Sequence, residues 1–274
     1  MSVKIIAEIG WNFMGDMVLA EKMINAARDA GADVAKFQYW NPERLKPGAW
    51  DEDGRREIYK KAQLNEEKIN TLKSHCELAD LEFLVSAFNV HDAKFLKEIG
   101  LDSIKIPSHE VANYDLHEFC ALNFSTVYVS LGAGTTKEVN AAIDIYAEKS
   151  KADSKWIGMH CVSSYPVISE KANLPRLRYL AGKVPHLGYS DHTNDVITPS
   201  LAVALGAGVI EKHFTTDKEL PGRDNKFALD PSEFTEMVKN IRLAELVMID
   251  HGSEPLDIEL DTMTQYRGRW GDND

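Results

Sequence analysis

The 274-residue sequence predicts an α/β protein folded as a (β/α)8 TIM barrel, and three observations carry that prediction. Short apolar runs alternate with helix-period patterns along the whole chain, roughly eight times. Turn-rich hairpin repeats are missing between the runs, so neighbouring strands are joined by crossovers and the sheet is parallel. The runs also end in polar residues, and a barrel collects its functional groups at the C-terminal ends of its strands. The length fits, since α/β barrels use about 250 residues as one domain.

Strands are expected at 4–9, 34–38, 82–86, 103–106, 126–130, 156–160, 186–189 and 208–213. The first helix, 19–30, places Leu19, Met23, Ala26, Ala27 and Ala30 on one stripe, and Gly31 stops it. Further helices follow at 66–79, 90–99, 114–122, 136–148, 174–180, 198–205 and 231–249. Gly100 and Gly206 sit just past helix ends, where a left-handed residue is wanted. Asp230-Pro231 starts the last helix, with proline at its first position. Residues 40–63, rich in Asp, Glu, Gly and Pro, are expected to form a lid or a disordered insertion. The barrel domain is expected over 1–250, and 251–274 as a polar, extended or mobile tail or linker remnant.

Composition narrows the function. Lys plus Arg number 31 against 43 Asp plus Glu, a formal charge of −12. With no basic cluster to neutralise phosphates, nucleic-acid binding is excluded as a general activity. Cys76, Cys120 and Cys161 form no CxxC pair and suit a reducing compartment. The N-terminus lacks a signal pattern, and no apolar run reaches the roughly 18 residues of a membrane span. The expectation is a cytoplasmic protein with no membrane partner.

Nearly every strand end is polar. Glu8 is followed by Gly10 and Asn12; Lys36 and Gln38 close the second strand; Ser86 closes the third. Lys105 precedes Ser108 and Glu110, Ser130 precedes Gly132 and Gly134, and His160 ends the sixth strand. The last two lead into Ser190-Asp191-His192-Thr193 and Glu211-Lys212-His213. Three lysines in apolar strands each need an anion. Internal pairing with Glu8, Glu110 or Glu211 is one reading, an anionic ligand the other. Strand alternation divides the lysines. If His213 points inward, Glu211 does too and Lys212 faces the helices. Lys36 and Lys105 are therefore favoured as ligands for a phosphate or carboxylate, and Lys212 as structural. Backbone amides of Gly132-Ala133-Gly134 could add an anion cradle at the helix start. His192 and His213 end adjacent strands and could share a divalent ion, with Asp191, Glu8 or Asp224 as carboxylate candidates.

These residues carry a resemblance. Ile6-Ala7-Glu8-Ile9-Gly10, Ala30-Gly31-Ala32-Asp33 running into Lys36-Phe37-Gln38, Lys105-Ile106-Pro107-Ser108-His109-Glu110 and His160-Cys161 with Tyr165-Pro166 occur in order. Gly188-Tyr189-Ser190-Asp191-His192-Thr193 and Ala204-Leu205-Gly206-Ala207 running into Glu211-Lys212-His213-Phe214 complete the set. Over residues 4–245 the sequence resembles the N-acetylneuraminate (sialic acid) synthase family, which includes legionaminate and pseudaminate synthases.

The resemblance implies a transferase. It would condense phosphoenolpyruvate with an N-acetylated aldose to a nine-carbon 2-keto-3-deoxy acid, releasing phosphate. It implies a divalent metal, commonly Mn2+ with Mg2+ or Co2+ as alternatives, held by His192 and His213. Lys36, Lys105 and Ser108 would hold phosphoenolpyruvate, with Ser86, Ser130 and Ser163 in the same substrate-binding set. Gln38 and Tyr165 match sugar-side positions. Glu8, Glu110 and Asp224 match acidic positions around the reacting groups, and Glu110 is the candidate for proton handling or cation stabilisation.

Several positions depart from the family pattern. Asn-His-x-Gly reads Asn12-Phe13-Met14-Gly15, and Ser-Thr-Pro-Phe reads Ser86-Ala87-Phe88. The glycine between Ser and Glu is His109, and Ser-Thr-Gly reads Ser130-Leu131-Gly132. The family's C-terminal antifreeze-like domain, through which its members dimerise, has no counterpart up to Asp274, so a homo-oligomer stays open. Altered sugar specificity is expected, and Trp11, Phe13 and Trp40 are candidates for an apolar sugar-side wall. Two rival readings are a Schiff-base aldolase acting on pyruvate through Lys105 and a non-catalytic barrel serving as a binding module.

Overall fold

The computed structural model describes residues 2–48 and 54–271. Eight parallel strands close into a barrel in sequence order: β1 Lys4–Gly10, β2 Val34–Gln38, β3 Glu82–Ser86, β4 Ser103–Ile106, β5 Thr126–Ser130, β6 Lys155–Cys161, β7 His186–Asp191 and β8 Val209–His213. β8 pairs with β1 to complete the ring, with Glu8 opposite His213. The helices are α1 Met17–Asp29, α2 Arg55–Ala62, α3 Glu66–Leu78, α4 Val90–Glu98, α5 Tyr114–Asn123, α6 Thr136–Lys149, α7 Arg176–Ala181, α8 Thr198–Ala204, α9 Pro231–Val247 and α10 Leu260–Gln265. The predicted fold class is the one observed.

Local chemistry sets the helix starts. Asp16, Asn65, Asn89 and Asn113 accept backbone N–H groups at the first turns of α1, α3, α4 and α5. Thr135 with Glu138, and Asp230 with Glu233, form reciprocal capping boxes on α6 and α9. Strand alternation then divides the side chains. Ile5, Ala7 and Ile9 of β1 join the large apolar layer under the helices. Ile6, Val34, Leu84, Tyr128, Ile157, Met159 and Val209 form a separate apolar cluster inside the barrel. Two residues further along, the same inward rows become Glu8, Lys36, Ser86, Ser130, Cys161 and Glu211. The interior is thus apolar low down and polar toward the C-terminal end.

Two stretches differ from expectation. Residues 40–63 are not a structureless insertion: Pro42–Arg44 makes a 3-10 turn and Arg55–Ala62 a helix, while 49–53 lie outside the described residues. The tail, expected extended, forms a 3-10 turn at Asp257–Glu259 and the short helix α10, both largely exposed. Its charge distribution explains the exposure, because acidic residues break up its few apolar ones. Among the described residues, no helix is long and apolar enough to cross a membrane.

Candidate active site

The polar end of the barrel holds a four-residue charge cluster. Lys36 Nζ lies 2.7 Å from Glu8 Oε2 and 3.7 Å from Glu211 Oε2. Lys105 Nζ donates to both Glu211 oxygens, at 2.8 and 2.9 Å. Gln38 donates to Glu8 Oε1 at 2.6 Å, and Ser190 donates to Glu211 Oε1 at 2.8 Å. All four charged side chains are buried. Glu211, which sequence reasoning treated only as a partner, is the hub, because it touches both lysines. Inward alternation with His213 was its signal.

The charges tune one another. Burial opposes the Glu211 carboxylate, but Lys105 and Lys36 together hold its pKa below the ordinary range. Burial raises Glu8, and Lys36 only partly offsets it. Burial works against the Lys36 ammonium, yet Glu211 and Glu8 keep its pKa above the usual value. Burial, reinforced by the neighbouring Lys36 charge, outweighs Glu211 at Lys105 and brings its pKa down. Lys36 and Lys105 are therefore internally paired here, the reading the sequence left as the alternative. Lys212 faces outward as alternation required, and binds Asp191.

Above the cluster sit the two imidazoles, with ring centroids 5.5 Å apart. His192 Nδ1 is 2.8 Å from the Val162 carbonyl, which can only accept, so Nδ1 carries a proton and in the neutral ring Nε2 is the nitrogen with the lone pair. Burial opposes the charged ring, but Cys161 and the Val162 carbonyl raise its pKa. His213 Nδ1 is buried with no hydrogen-bond partner, 3.8 Å from Asp224 Oδ2. Burial and the neighbouring His192 hold His213 well below its ordinary pKa, as a neutral ring. Asp224 is pushed up to about 6 by burial, with Glu8 adding, and accepts from Trp11 Nε1 at 3.2 Å. Tyr165 lies against both rings, at 4.2 Å from His192 and 5.8 Å from His213. Among the described residues, no three His, Cys, Asp or Glu side chains converge as a metal-binding set. Asp191, a carboxylate candidate in the sequence, is turned away from the imidazoles toward Lys212 by strand alternation.

The remaining candidates line the rim. Ser108 and Ser163 hydroxyls are 2.5 Å apart. Ser86 makes a long 3.4 Å bond to the Phe37 carbonyl, and the buried Ser130 hydroxyl has no partner. Glu110 does not join the charge cluster: its Oε2 accepts from Asn113 at 2.8 Å, and burial raises its pKa. At the start of α6 the Glu138 carboxylate accepts from Thr135 N, the amide that follows the Gly132-Ala133-Gly134 loop. Phe13 is no sugar-side wall either. It is buried and packs edge-on against Phe37. Trp11 and Trp40 do reach the mouth, where the Tyr59 ring lies 3.8 and 3.9 Å from them. The sequence did not single out Tyr59 on α2 or Arg223, whose guanidinium lies 5.9 Å from the Tyr165 ring centre; only their aromatic or charged type could have flagged them.

A wide concavity of about 560 Å3 opens at the opposite end, lined by Val3, Lys4, Asp33 and Glu82 among others. It carries none of the candidate residues, and that end of a barrel serves stability.

Known proteins are similar to this chain in sequence and fold. An N,N'-diacetyllegionaminic acid synthase from Legionella pneumophila is 36% identical over 95% of this chain and 77% of its own length. A pseudaminic acid synthase from Campylobacter jejuni is 34% identical over 94% of this chain and 77% of its own length. The crystal structure of an N-acetylneuraminic acid synthetase from Leptospira borgpetersenii, in complex with citrate, superposes with a TM-score of 0.87. It is 33% identical, over 96% of this chain and 90% of that one. A truncated 3-deoxy-D-arabino-heptulosonate 7-phosphate synthase from Thermotoga maritima, at 16% identity and a TM-score of 0.67, shares the fold alone. The family pattern itself matches residues 23–253, and with it the chain belongs to the NeuB family.

Proposed function

We propose that this barrel condenses phosphoenolpyruvate with an N-acetylated aldose resembling N-acetylmannosamine, giving a nine-carbon 2-keto-3-deoxy sugar acid and phosphate. Membership of the NeuB family supports the coarser statement, an enzyme of the sugar-acid synthase class. The observation that carries the finer one is the stacking of two buried lysines beneath two converging imidazoles. That pairing suits a trianion below and an aldehyde above.

The residues divide the work. Lys36 and Lys105 exchange their carboxylate partners for the anionic substrate, with Ser108, Ser163 and the unpartnered Ser130 hydroxyl as donors. With its lysines and glutamates all ionised, the four-residue cluster is neutral, so an entering trianion needs added positive charge. Glu8, raised by burial, takes up a proton at its carboxylate. Gln38 and Tyr165 orient the sugar. The enol carbon then attacks the aldehyde carbon, whose oxygen takes a proton and becomes a hydroxyl. Asp224, poised near neutrality, and Glu110 are the proton-handling groups. Water adds to the cationic carbon that still bears phosphate and gives one proton to a nearby carboxylate. Phosphate then leaves by C–O cleavage, taking the second proton as the hydroxyl becomes the ketone.

His192 and His213 fit a divalent ion, for which Mn2+ is the first candidate and Mg2+ or Co2+ alternatives. Each can present a neutral ring nitrogen, and the buried His213 Nδ1 lacks a protein partner. Two protein ligands leave room for water and substrate oxygens. The ion, when bound, supplies Lewis-acid polarisation of the aldehyde.

Chelation separates this reading from its rival. EDTA should abolish turnover, Mn2+ should restore it, and borohydride should trap no pyruvate on the protein. Turnover that survives EDTA, with pyruvate trapped on Lys105, would replace the synthase with a Schiff-base aldolase.

A further inference from the structure

The residues just before the two histidines are Asp191 and Lys212, and they are register partners on adjacent strands. Both point out of the barrel, opposite to the imidazoles that follow them. Lys212 Nζ lies 2.5 Å from Asp191 Oδ2, and the two side chains are 1% and 0% exposed. The ammonium also donates to the Thr193 carbonyl at 2.6 Å, the Asp195 carbonyl at 3.0 Å and Thr193 Oγ1 at 3.1 Å. Asp191 is equally occupied. Its Oδ1 accepts from Tyr189 Oη at 2.8 Å and from Thr193 N at 2.9 Å, while Oδ2 accepts from Thr193 Oγ1 at 2.9 Å. His192, between Asp191 and Thr193, is thus enclosed by a network centred on the residue before His213.

A buried ion pair is weak evidence for stability, since desolvation offsets much of its attraction. Its geometric effect is stronger. A flexible loop normally follows a barrel strand, yet here residues 191–195 are tied to β8 by four contacts from one ammonium. That fixes the strand-end register which brings the rings to 5.5 Å.

We propose that the Asp191–Lys212 pair is the positioning element of the two-histidine centre: an outward clip that sets the separation and direction of the inward imidazoles. The proposal rests on the metal reading above, and assigns a role to charges that touch neither substrate nor ion.

The test compares Asp191→Asn, Lys212→Met and a control, Asp92→Asn, in the full chain. Asp92 is a buried carboxylate paired with Arg44 at 2.6 Å, on α4 and away from the histidines. Mn2+ affinity is measured by titration, and Co2+ geometry by its visible absorption spectrum. Asp191→Asn and Lys212→Met should each weaken Mn2+ binding by about 10–100-fold, the range for residues that orient metal ligands, and should change the Co2+ spectrum. Asp92→Asn should lower Tm with affinity and spectrum unchanged. If the single variants do not fold, the pair Asp191→Leu with Lys212→Met leaves no buried charge unpartnered and should show the same weakening. A wild-type chain that binds neither ion would overturn the metal reading and the clip together. Wild-type binding matched by Asp191→Asn and Lys212→Met, or weakened equally by Asp92→Asn, would overturn the clip alone.

Discussion

Glu211 is the residue on which the charge cluster turns. It is bonded to Lys105 and lies 3.7 Å from Lys36, so neutralising it leaves Lys36 with Glu8 alone and takes from Lys105 the carboxylate it is bonded to. Breaking a buried pair in this way costs about 3–5 kcal/mol. Glu211→Gln should lower stability by that order in urea titration, and should also raise the KM for phosphoenolpyruvate through displaced lysines. A variant with wild-type stability and KM would show that the lysines do not depend on Glu211. Glu110 faces a sharper question, because it bonds to Asn113 rather than to the cluster. Glu110→Gln should lower kcat with little change in KM, and near-normal turnover would remove it from proton handling. Residue identities were legible in the sequence where chemistry is conspicuous, as with lysines inside apolar strands. Partner choice was not. Lys105 and Glu211 are 106 residues apart and meet only because the barrel closes.

Elements carry the consequences of loop geometry and burial. Gly15 has φ +82°, and a Cβ there would lie 2.0 Å from the Lys61 carbonyl oxygen at the end of α2. Gly15→Ala should therefore cost about 1–2 kcal/mol from the left-handed backbone alone, with the displacement of α2 adding to it. A matched Tm would contradict the close approach. On α5, His117 donates to the Glu110 and Val111 carbonyls, and burial lowers its pKa to about 4. The unfolded chain protonates His117 near pH 6.5 and the folded chain only near pH 4, so the stability it provides is full above pH 6.5. That stability is lost as pH falls toward 4, by about 3 kcal/mol. Tm measured across that window should fall in the wild type, and His117→Gln should flatten the slope; an equal slope in both would exclude His117 as the source. Strands and helices were readable because period-2 and period-3.6 patterns are local, and β2 to β5 match expectation end to end. α2 was missed because its helix, Arg55–Ala62, is short and strongly charged and buries only a narrow face, here Tyr59 and Ala62.

At the scale of the whole molecule, barrel closure converts a one-dimensional pattern into a site. Alternation places Glu8, Lys36 and Glu211 inward and Lys212 outward, and register then sets which of them meet. The sequence anticipated the inward–outward division. It left internal pairing of the two favoured lysines as one of two readings without deciding it, and it did not anticipate that the Glu138 carboxylate would accept from Thr135 N at the start of α6. Each depends on side-chain reach in three dimensions. For synthesis to proceed, this neutral, buried cluster must open to an anion and join it to a sugar. The most direct measurement incubates the chain with Mn2+, phosphoenolpyruvate and a panel of N-acetylated aldoses, following phosphate release and product mass together. One sugar should trigger stoichiometric phosphate release and yield the mass of a three-carbon-extended 2-keto acid. Tight binding of Mn2+ and phosphoenolpyruvate, with no phosphate released by any sugar, would contradict the synthase account and leave a barrel that binds without catalysing.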